Sequence, residues 1–326
     1  MKDYKIRPYK EGDEININNA FNKVFGLNRS IEEWYWKFQT DNNGSRIMVA
    51  VDNNNQVFAH YAATLVDISV NGKIYKCGQP VDVYSVKQEG SVQHRLYLKT
   101  VREFFKTFGA KEKIQLLYGF PSARVLKLGQ IKLDYGNPIS VTVGKKNILK
   151  EKRLKWIKLP GVIRRLTKFY KQSPKSIDDL WERSSHRYDV SVVRNGDYIK
   201  RRYYDCPNNK YIYLSIYNNK LLSAWAVFKS ERDKIKWIDL LWDGEDEKIL
   251  IKLENRIEYI ARYSGIENLE IWLSNDEKVK NILLNKNWEF SEHDDLFLVA
   301  MSFHPDLDSN KFIKNLYFTM GDSDLV

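Results

Sequence analysis

The sequence contains little cysteine and little histidine, two and five residues among 326. Cys77 and Cys206 stand alone, with no CxxC pair and no cluster of histidines beside either of them. A disulfide framework needs several paired cysteines, and a structural zinc site needs closely spaced cysteine or histidine ligands. The sequence therefore excludes the small disulfide-rich class and gives no sign of a structural metal.

Long apolar stretches are also missing. No run approaches the ~18 consecutive apolar residues that a membrane-spanning helix requires. Residues Met1–Lys5 lead directly into sequence with the pattern of a folded domain, without the apolar core of a signal peptide. We therefore expect a cytoplasmic protein without a transmembrane segment.

Acidic residues are almost absent from one segment, Lys145 to Lys175, which holds twelve lysines and arginines against Glu151. This excess equals the formal net charge of the whole chain, +11. After Pro160-Gly161, apolar residues at helical spacing lie among the cations. The segment predicts either a helix between domains, with its lysines in water, or a contact with an anionic membrane surface or tRNA.

The chain contains an internal repeat. Trp36–Ala62 aligns with Arg201–Ala226, and in both an aromatic helix end leads into two strands joined by an asparagine-rich turn. Ile114–Tyr135 resembles Leu269–Phe290, each with a strand, a break, a short helix and another strand. Two unrelated α/β domains would share single hairpins, whereas two matching blocks in the same order favour a duplicated unit.

The length and composition agree with a duplication. With 43% hydrophobic and 13% aromatic residues, each half of the chain has enough apolar material for its own core. At about 150 residues per domain, a chain of this length holds two domains. We predict a first domain at 1–145, a basic connector at 146–176 and a second domain at 177–326.

The first copy alternates strand and helix patterns. Tight-turn signals such as Asn71-Gly72 separate the strands. The predicted elements are strands at Tyr4–Arg7, a hairpin at Ile47–Ile68, Val81–Val86 and Ile114–Tyr118, and helices at Glu14–Phe25, Ile31–Phe38, His94–Phe108 and Ser122–Leu128. This order predicts an α/β fold built on a mixed sheet, of the α+β kind.

Three segments carry a resemblance to a known family. IRPYKEGDE (Ile6–Glu14), the aromatic helix Trp34–Phe38 and YGFPSARVLKLGQ (Tyr118–Gln130) resemble the GNAT acetyltransferase superfamily, in particular its two-domain members. The resemblance implies two tandem GNAT-like acyl-CoA N-acyltransferase domains. It also implies acetyl-CoA, or another acyl-CoA, as the cofactor.

The resemblance places the thioester beside the fourth strand, Asp82–Val86, and the pyrophosphate on the following loop and helix start. The implied cofactor-binding residues are Ser85, Val86, Gly90, Ser91, His94, Arg95 and Ser122. Loops of this family carry several glycines, because backbone amides then approach phosphate closely. This loop reads KQEGSVQHR with Gly90 as its single glycine, so an anion site and a plain surface turn both remain open.

The catalytic residues implied by the resemblance are Asp82, Tyr84 and Tyr118. Asp82 or His60 would act as general base, unless either side chain is structural. Many relatives place a proton-donating tyrosine where this chain has Leu126, so Tyr118, Tyr84 or water would have to replace it.

The second copy is expected to be degenerate. Asp243, Glu245, Asp246 and Glu247 stand where phosphate would bind and would repel it. In certain two-domain relatives the C-terminal carboxylate reaches the first domain's site. Asp322, Asp324 or the Val326 carboxylate would do so here if the tail docks, as the aromatic pair Tyr317-Phe318 favours, rather than frays.

The leading hypothesis is therefore an acyl-CoA-dependent N-acetyltransferase acting on an amine. The acceptor class to which the resemblance points is a small molecule or a saccharide, such as an amino sugar of a surface polysaccharide or a nucleotide sugar. Two alternatives stay open: a Fem-type transferase that uses aminoacyl-tRNA, which the basic connector favours, and a GNAT-fold binding protein without catalysis.

Overall fold

The structure is a computed structural model that describes residues 4–39, 46–88, 92–110, 113–148, 171–208 and 210–324. Most of the basic connector, the predicted cofactor residues Gly90 and Ser91, and the Val326 carboxylate lie outside these ranges. In the part of the chain that is described, no helix is both long enough and apolar enough to cross a bilayer.

Within its described residues the first copy has five strands and four helices. The strands are β1 (Lys5–Pro8), β2 (Arg46–Val51), β3 (Val57–Val70), β4 (Lys73–Ser85) and β5 (Leu116–Gly119). The helices are α1 (Glu14–Phe25), α2 (Ile31–Gln39), α3 (Val92–Phe108) and α4 (Ala123–Lys132). Asn71 and Gly72 join β3 to β4 with φ angles of 49° and 80°, as the tight turn of a hairpin requires.

The second copy follows the same order. Its strands are β7 (Val190–Val192), β8 (Tyr211–Asn218), β9 (Leu221–Glu231), β10 (Lys234–Trp242), β11 (Asn268–Trp272) and β12 (Glu289–Ser302). Its helices are α5 (Pro174–Ser185), α6 (Gly196–Ile199) continued by a π-helical turn (Lys200–Tyr204), α7 (Glu247–Ser264) and α8 (Glu277–Leu284). The C-terminal tail adds α9 (Ser309–Asn315), β13 (Leu316–Tyr317) and a 3₁₀ turn (Met320–Asp322).

One continuous sheet runs through both copies in the order β1-β2-β3-β4-β5-β12-β6-β11-β10-β9-β8, where β6 is Ile139–Asn147. β6 follows the first copy in the chain but pairs antiparallel with β11 of the second. β12 follows the second copy but pairs antiparallel with β5 of the first. The two copies have therefore exchanged their last strands, and β6 spans the predicted boundary at 145/146.

The core is shared between the copies as well. The largest cluster of buried apolar residues joins Cys77 and Tyr118 of the first copy to Trp225 of the second and Phe318 of the tail. Both cysteines are buried thiols that form no disulfide in the part of the chain that is described. Since apolar surface removed from water contributes ~25 cal/mol per Å², this cluster holds the two copies together. The predicted α/β fold with a mixed sheet is confirmed.

Candidate functional site

The central cleft begins where β4 and β5 part. These parallel strands pair only at Cys77↔Leu116 and Gly78↔Leu117. A Cβ at Gly78 would lie 2.7 Å from the Leu117 side chain, so only glycine allows this close approach. Further along β4, beyond Gln79, lies Pro80, which has no N–H to donate. Its ring faces Gly119, because a Cβ on Gly119 would lie 3.6 Å from Pro80 Cδ. The proline ends the ladder and the strands separate.

The separation opens a cleft of about 1500 Å³. Its walls are β4 and β5, helices α3 and α4, the loop between α1 and α2, the π-helical turn of the second copy and the tail. Apolar side chains dominate the walls and polar groups lie at a few positions, which is the usual make-up of a ligand site.

A β-bulge lies on β4 at the cleft. The register of the β3–β4 pair shifts between His60↔Tyr84 and Ala62↔Val81, so that Asp82 and Val83 together oppose Tyr61. Asp82 has a φ of 49°, in the left-handed region that aspartate tolerates better than most residues. The bulge lies within the segment that the sequence analysis predicts to face the thioester.

The Asp82 carboxylate is buried in an ion-pair cluster. Its side chain is 1% exposed, one oxygen contacts the Arg29 guanidinium, and Oδ1 lies 2.6 Å from Lys37 Nζ. Burial alone would raise the pKa of Asp82, but the Lys37 and Arg29 cations together bring it below the ordinary value. A general base works best with a pKa near the operating pH, so this geometry favours the structural role for Asp82.

His60, the other candidate base, lies beneath the bulge. Its ring is fully buried, stacks on Tyr84 at 5.1 Å and places Nδ1 2.7 Å from the Asp82 carbonyl oxygen. Because that oxygen only accepts, Nδ1 carries the proton. Burial lowers the pKa of His60 to about 4. His60 is absent from the cleft wall, so its geometry too favours a structural role.

The buried His60 makes folding stability depend on pH. Its pKa is about 4 in the folded state against 6.5 for an exposed histidine, so its contribution is complete above pH 6.5 and is lost as the pH falls towards 4. The difference corresponds to ~3 kcal/mol. We expect denaturation midpoints of His60→Asn to vary less between pH 6.5 and 4 than those of the exposed-histidine control His293→Gln. Parallel profiles for the two variants would contradict this assignment.

The two predicted proton donors occupy different environments. The Tyr84 hydroxyl donates a hydrogen bond to the carbonyl oxygen of Ile17 on α1 at 2.8 Å, so its proton is already used within the protein. Tyr118 lines the cleft, and burial followed by the nearby Asp322 raises the pKa of its hydroxyl. Leu126 is buried under α4, whose cleft-facing apolar positions are instead Val125, Leu128 and Ile131.

The predicted cofactor residues near the start of α3 differ in whether they line the cleft. Ser85 and His94 line the cleft, and Gln93 Nε2 donates to the Ser85 carbonyl and hydroxyl oxygens at 3.2 and 3.1 Å. The Val86 amide is engaged, because it donates to the Phe58 carbonyl oxygen at 2.8 Å. Arg95 is exposed and points elsewhere than the cleft wall.

Ser122 precedes α4 and lines the cleft with two cations of that helix, Arg124 and Lys127. Neither cation was predicted from the sequence, because lysine and arginine on a short exposed helix give no signal of their own. The tertiary structure brings them to the same cleft as the α3 N-terminus, where unpaired helix amides and the helix dipole favour an anion.

The tail enters the cleft from the opposite side. Gln79 Nε2 donates to the Asp322 carbonyl oxygen at 2.6 Å, and Asp324 Oδ1 contacts the Lys37 ammonium. The Asp82 amide lies 3.4 Å from Asp324 Oδ2. Asp324 is 29% exposed, and burial beside Asp82 raises the pKa of its carboxyl against the opposing effect of Lys37. Asp324 is thus a carboxyl group that lies beside the bulge and within the cleft.

Lys37, which links the tail to the bulge, and Arg29, which pairs with Asp82, were not predicted from the sequence. Lys37 bridges Asp82 and Asp324, and Arg29 Nε also donates to Asn18 Oδ1 at 2.7 Å. Their partners lie many residues away along the chain, so no local pattern identifies them. Pro80 did offer a signal, since proline inside a strand pattern marks a missing ladder bond.

The acidic run of the second copy is used by the protein itself. Asp246 caps α7 by accepting from the Lys248 amide at 2.9 Å, and Asp243 Oδ1 accepts from the Glu245 amide at 3.2 Å. A carboxylate thus occupies the helix start where a phosphate would bind in the first copy. The contacts agree with the expectation that these carboxylates disfavour phosphate, and the degeneracy of the second copy stays a prediction.

Comparisons with known proteins agree on the fold. Residues 5–125 match the family described as acetyltransferase (GNAT) domain. No curated protein matches the sequence.

Solved structures resemble the chain over most of its length. A probable N-acyltransferase from Enterococcus faecalis is 8% identical, with a TM-score of 0.64 over 97% of this chain and 75% of that protein. Saccharomyces cerevisiae N-myristoyltransferase with bound myristoyl-CoA is 10% identical, with a TM-score of 0.56 over 92% and 83% of the two chains.

A third similar structure is a GCN5-related glucosamine N-acetyltransferase region of a fungal multi-domain β-N-acetylglucosaminidase. It is 10% identical, with a TM-score of 0.54 over 92% of this chain and 38% of that one. At these identities the three likenesses establish the fold alone.

Proposed function

We propose that this chain, which belongs to the GNAT acetyltransferase superfamily through its residues 5–125, is an N-acyltransferase that takes its acyl group from an acyl-CoA thioester. The observation that carries the proposal is the parting of β4 and β5 beyond Gly78, next to a bulge at Asp82. Strands that stayed paired would leave no room for a thioester between them.

The residues around the cleft fit an acyl-CoA. Apolar side chains of α3, α4 and β5 suit the pantetheine arm, and His94, Arg124 and Lys127 bring donors and positive charge to one end for the phosphates. When bound, the thioester supplies an activated acyl group; acetyl-CoA is the first donor to test. The protein's part is to hold that group at the bulge and to exclude water.

Asp324 is the residue that we propose as proton acceptor. As the C–N bond forms and the C–S bond breaks, the amine must lose a proton, and the thiolate leaves. A partly exposed carboxyl with a raised pKa suits this task, whereas the fully paired Asp82 does not. Lys37 then orients Asp324 by pairing with it and with Asp82 at the same time.

We further propose an amino sugar as the acceptor, of a surface polysaccharide or a nucleotide sugar. Two aromatic side chains, Trp36 and Tyr198, line the tail side of the cleft together with the polar Asn28 and Glu33. Aromatic faces with polar groups beside them suit a sugar ring, which has apolar faces and a hydroxylated rim. The glucosamine acceptor named for the fungal neighbour supports the same choice.

Donor binding is tested by titration calorimetry. We expect acetyl-CoA to bind with a Kd in the micromolar range usual for enzyme substrates. Reversing two charges, in Arg124→Glu with Lys127→Glu, should weaken binding about tenfold, with less effect at high salt. The matched control is Lys132→Glu on the same helix, which is exposed and lies outside the cleft wall. The absence of heat, and of competition by CoA up to millimolar, would overturn the proposal.

Acceptor choice is tested by thiol release with glucosamine and with a nucleotide-linked amino sugar, each against its N-acetylated form. We expect release only with the free amines, because the N-acetylated forms have no basic nitrogen. Turnover by other amines alone would keep the acyltransferase and replace the acceptor class.

A further inference from the structure

The second copy repeats the geometry of the first cleft. β10 and β11 pair in parallel over Lys234–Trp237 of β10, while β10 itself continues to Trp242. The β9–β10 register shifts between Trp237 and Asp239, with Ile238 as the extra residue, so Asp239 lies directly beside a bulge. The duplication has therefore produced a second pair of parting strands with an aspartate at the bulge.

The chain's own tail fills this second cleft. Ser274 Oγ and Asn275 Nδ2 donate to the Leu316 carbonyl oxygen at 3.2 and 2.8 Å. The Tyr317 hydroxyl donates to the Leu240 carbonyl oxygen on β10 at 3.1 Å, and its ring stacks on Tyr188 at 4.0 Å. Tyr317 and its neighbours on the tail are buried, so these contacts occupy the space that a ligand would need.

A buried ion-pair cluster fixes the end of this segment. Arg194 is fully buried and donates from Nε to Asp239 Oδ1 at 2.9 Å and from Nη2 to Asp322 Oδ2 at 2.5 Å. Thr319 donates to Asp239 Oδ1 at 3.1 Å from its hydroxyl and to Asp322 Oδ2 at 2.7 Å from its amide. The Tyr203 hydroxyl donates to Asp239 Oδ2 at 2.7 Å.

At each bulge, one cation binds both the aspartate of the strand and an aspartate of the tail. In the second copy a cation on the bulge aspartate, Arg194 on Asp239, also binds Asp322. In the first copy a cation on the bulge aspartate, Lys37 on Asp82, also binds Asp324. Only Ser323 separates the two tail residues, so fixing Asp322 restricts where Asp324 can lie.

Arg202 further restricts the position of the tail. Its Nε donates to the Gly321 carbonyl oxygen at 3.1 Å and its Nη2 to the Ser323 carbonyl oxygen at 2.9 Å. A Cβ at Gly321 would lie 2.1 Å from the Tyr203 hydroxyl oxygen, so the tail approaches the second copy as closely as a glycine permits. Every residue from Gly321 to Asp324 is therefore bonded to a fixed part of one copy or the other.

We propose that the second copy serves as a holding site for the tail, with Arg194, Asp239 and Thr319 as positioning residues that place Asp324 in the first cleft. The catalytic role of Asp324 rests on the proposed function above, while the holding role does not. The degenerate copy keeps its cleft because the chain's own residues 316–322 occupy it.

The stoichiometry of donor binding gives a first test. Calorimetry of the full chain with acetyl-CoA should show one site per chain, because the tail fills the second cleft. Two sites of similar affinity would overturn the proposal.

Two variants test the positioning role. Thr319→Val and Asp322→Asn keep the side-chain shape and remove bonds to Asp239 or Arg194. We expect hydrogen exchange of residues 316–324 to accelerate at least about tenfold in each. We also expect kcat of acyl transfer to fall at least about tenfold, because displacing a reacting group by ~1 Å has effects of this size. The Kd of the donor should change less than about twofold, since its cleft is untouched.

Asp306→Asn is the matched control, since Asp306 is 62% exposed and lies outside the cluster. Arg194→Lys, which keeps the charge, should retain more kcat than Arg194→Met. Faster exchange with unchanged kcat would contradict the positioning role, and unchanged exchange would contradict the holding site. If the wild type neither binds CoA nor transfers an acyl group, the proposed function fails, while hydrogen exchange of residues 316–324 still decides the holding site.

Discussion

Substituting Asp324 with asparagine is expected to lower kcat by about 10²–10⁴, the usual contribution of a positioned general base. Asparagine keeps the size of the side chain but cannot accept the proton of the amine. The Kd of the donor should stay unchanged, because the proposed donor residues on α3 and α4 belong to other parts of the cleft wall. Steady-state kinetics together with calorimetry separate the two effects.

The pH dependence identifies the proton acceptor. A base must be deprotonated to work, so kcat should rise with pH through the raised pKa of Asp324 and then level off. In Asp324→Asn this acid limb should disappear, whereas Asp324→Glu should retain it at a lower rate. An intact acid limb in the asparagine variant would assign the proton transfer to another group.

The second large effect concerns stability. Asp82→Asn should reduce the free energy of unfolding by ~3–5 kcal/mol, because it leaves the buried Arg29 and Lys37 cations without their shared anion. Asparagine also tolerates the left-handed backbone at this position, so the loss reports on charge rather than on φ. Urea denaturation at neutral pH gives the difference directly.

The matched control for Asp82 is Asp205→Asn. Asp205 lies 2.6 Å from Lys200, like Asp82 from Lys37, but both partners are about half exposed. Exposed pairs contribute ~0–1 kcal/mol, so this variant should denature close to the wild type. Equal losses for Asp82→Asn and Asp205→Asn would show that burial does not govern the first pair.

Asp82 shows which part of the site could be predicted from the sequence and which part could not. The strand around Asp82 was predicted from its residue pattern, and its place beside the thioester was implied by the family resemblance. The distinction between a base and an anchor depends on Lys37 and Arg29, which come from the helix and loop on the far side of the strand. A pattern in the sequence records residue types and spacing but not which charges meet in the folded chain.

The exchange of the last strands between the copies also could not be predicted from the sequence. The sequences of β6 and β12 do not say which copy each strand joins, because the residue pattern of a strand records which side chains share a face and not which strand lies beside it. Consecutive elements usually lie side by side, so the sequence favours pairing of β6 with β5. Instead β12 lies between them, and this arrangement brings the tail back towards the first cleft.

By itself the sequence determined the doubled α/β fold, the tight turn at Asn71-Gly72 and the strand that carries the cleft, because periodicity, turn chemistry and repetition are local properties. The tertiary structure alone decided that Asp324 stands beside the bulge, that Lys37 joins it to Asp82, and that the second cleft holds the tail. Those contacts join residues far apart in sequence. Their charges interact strongly only when burial removes the water that would otherwise screen them.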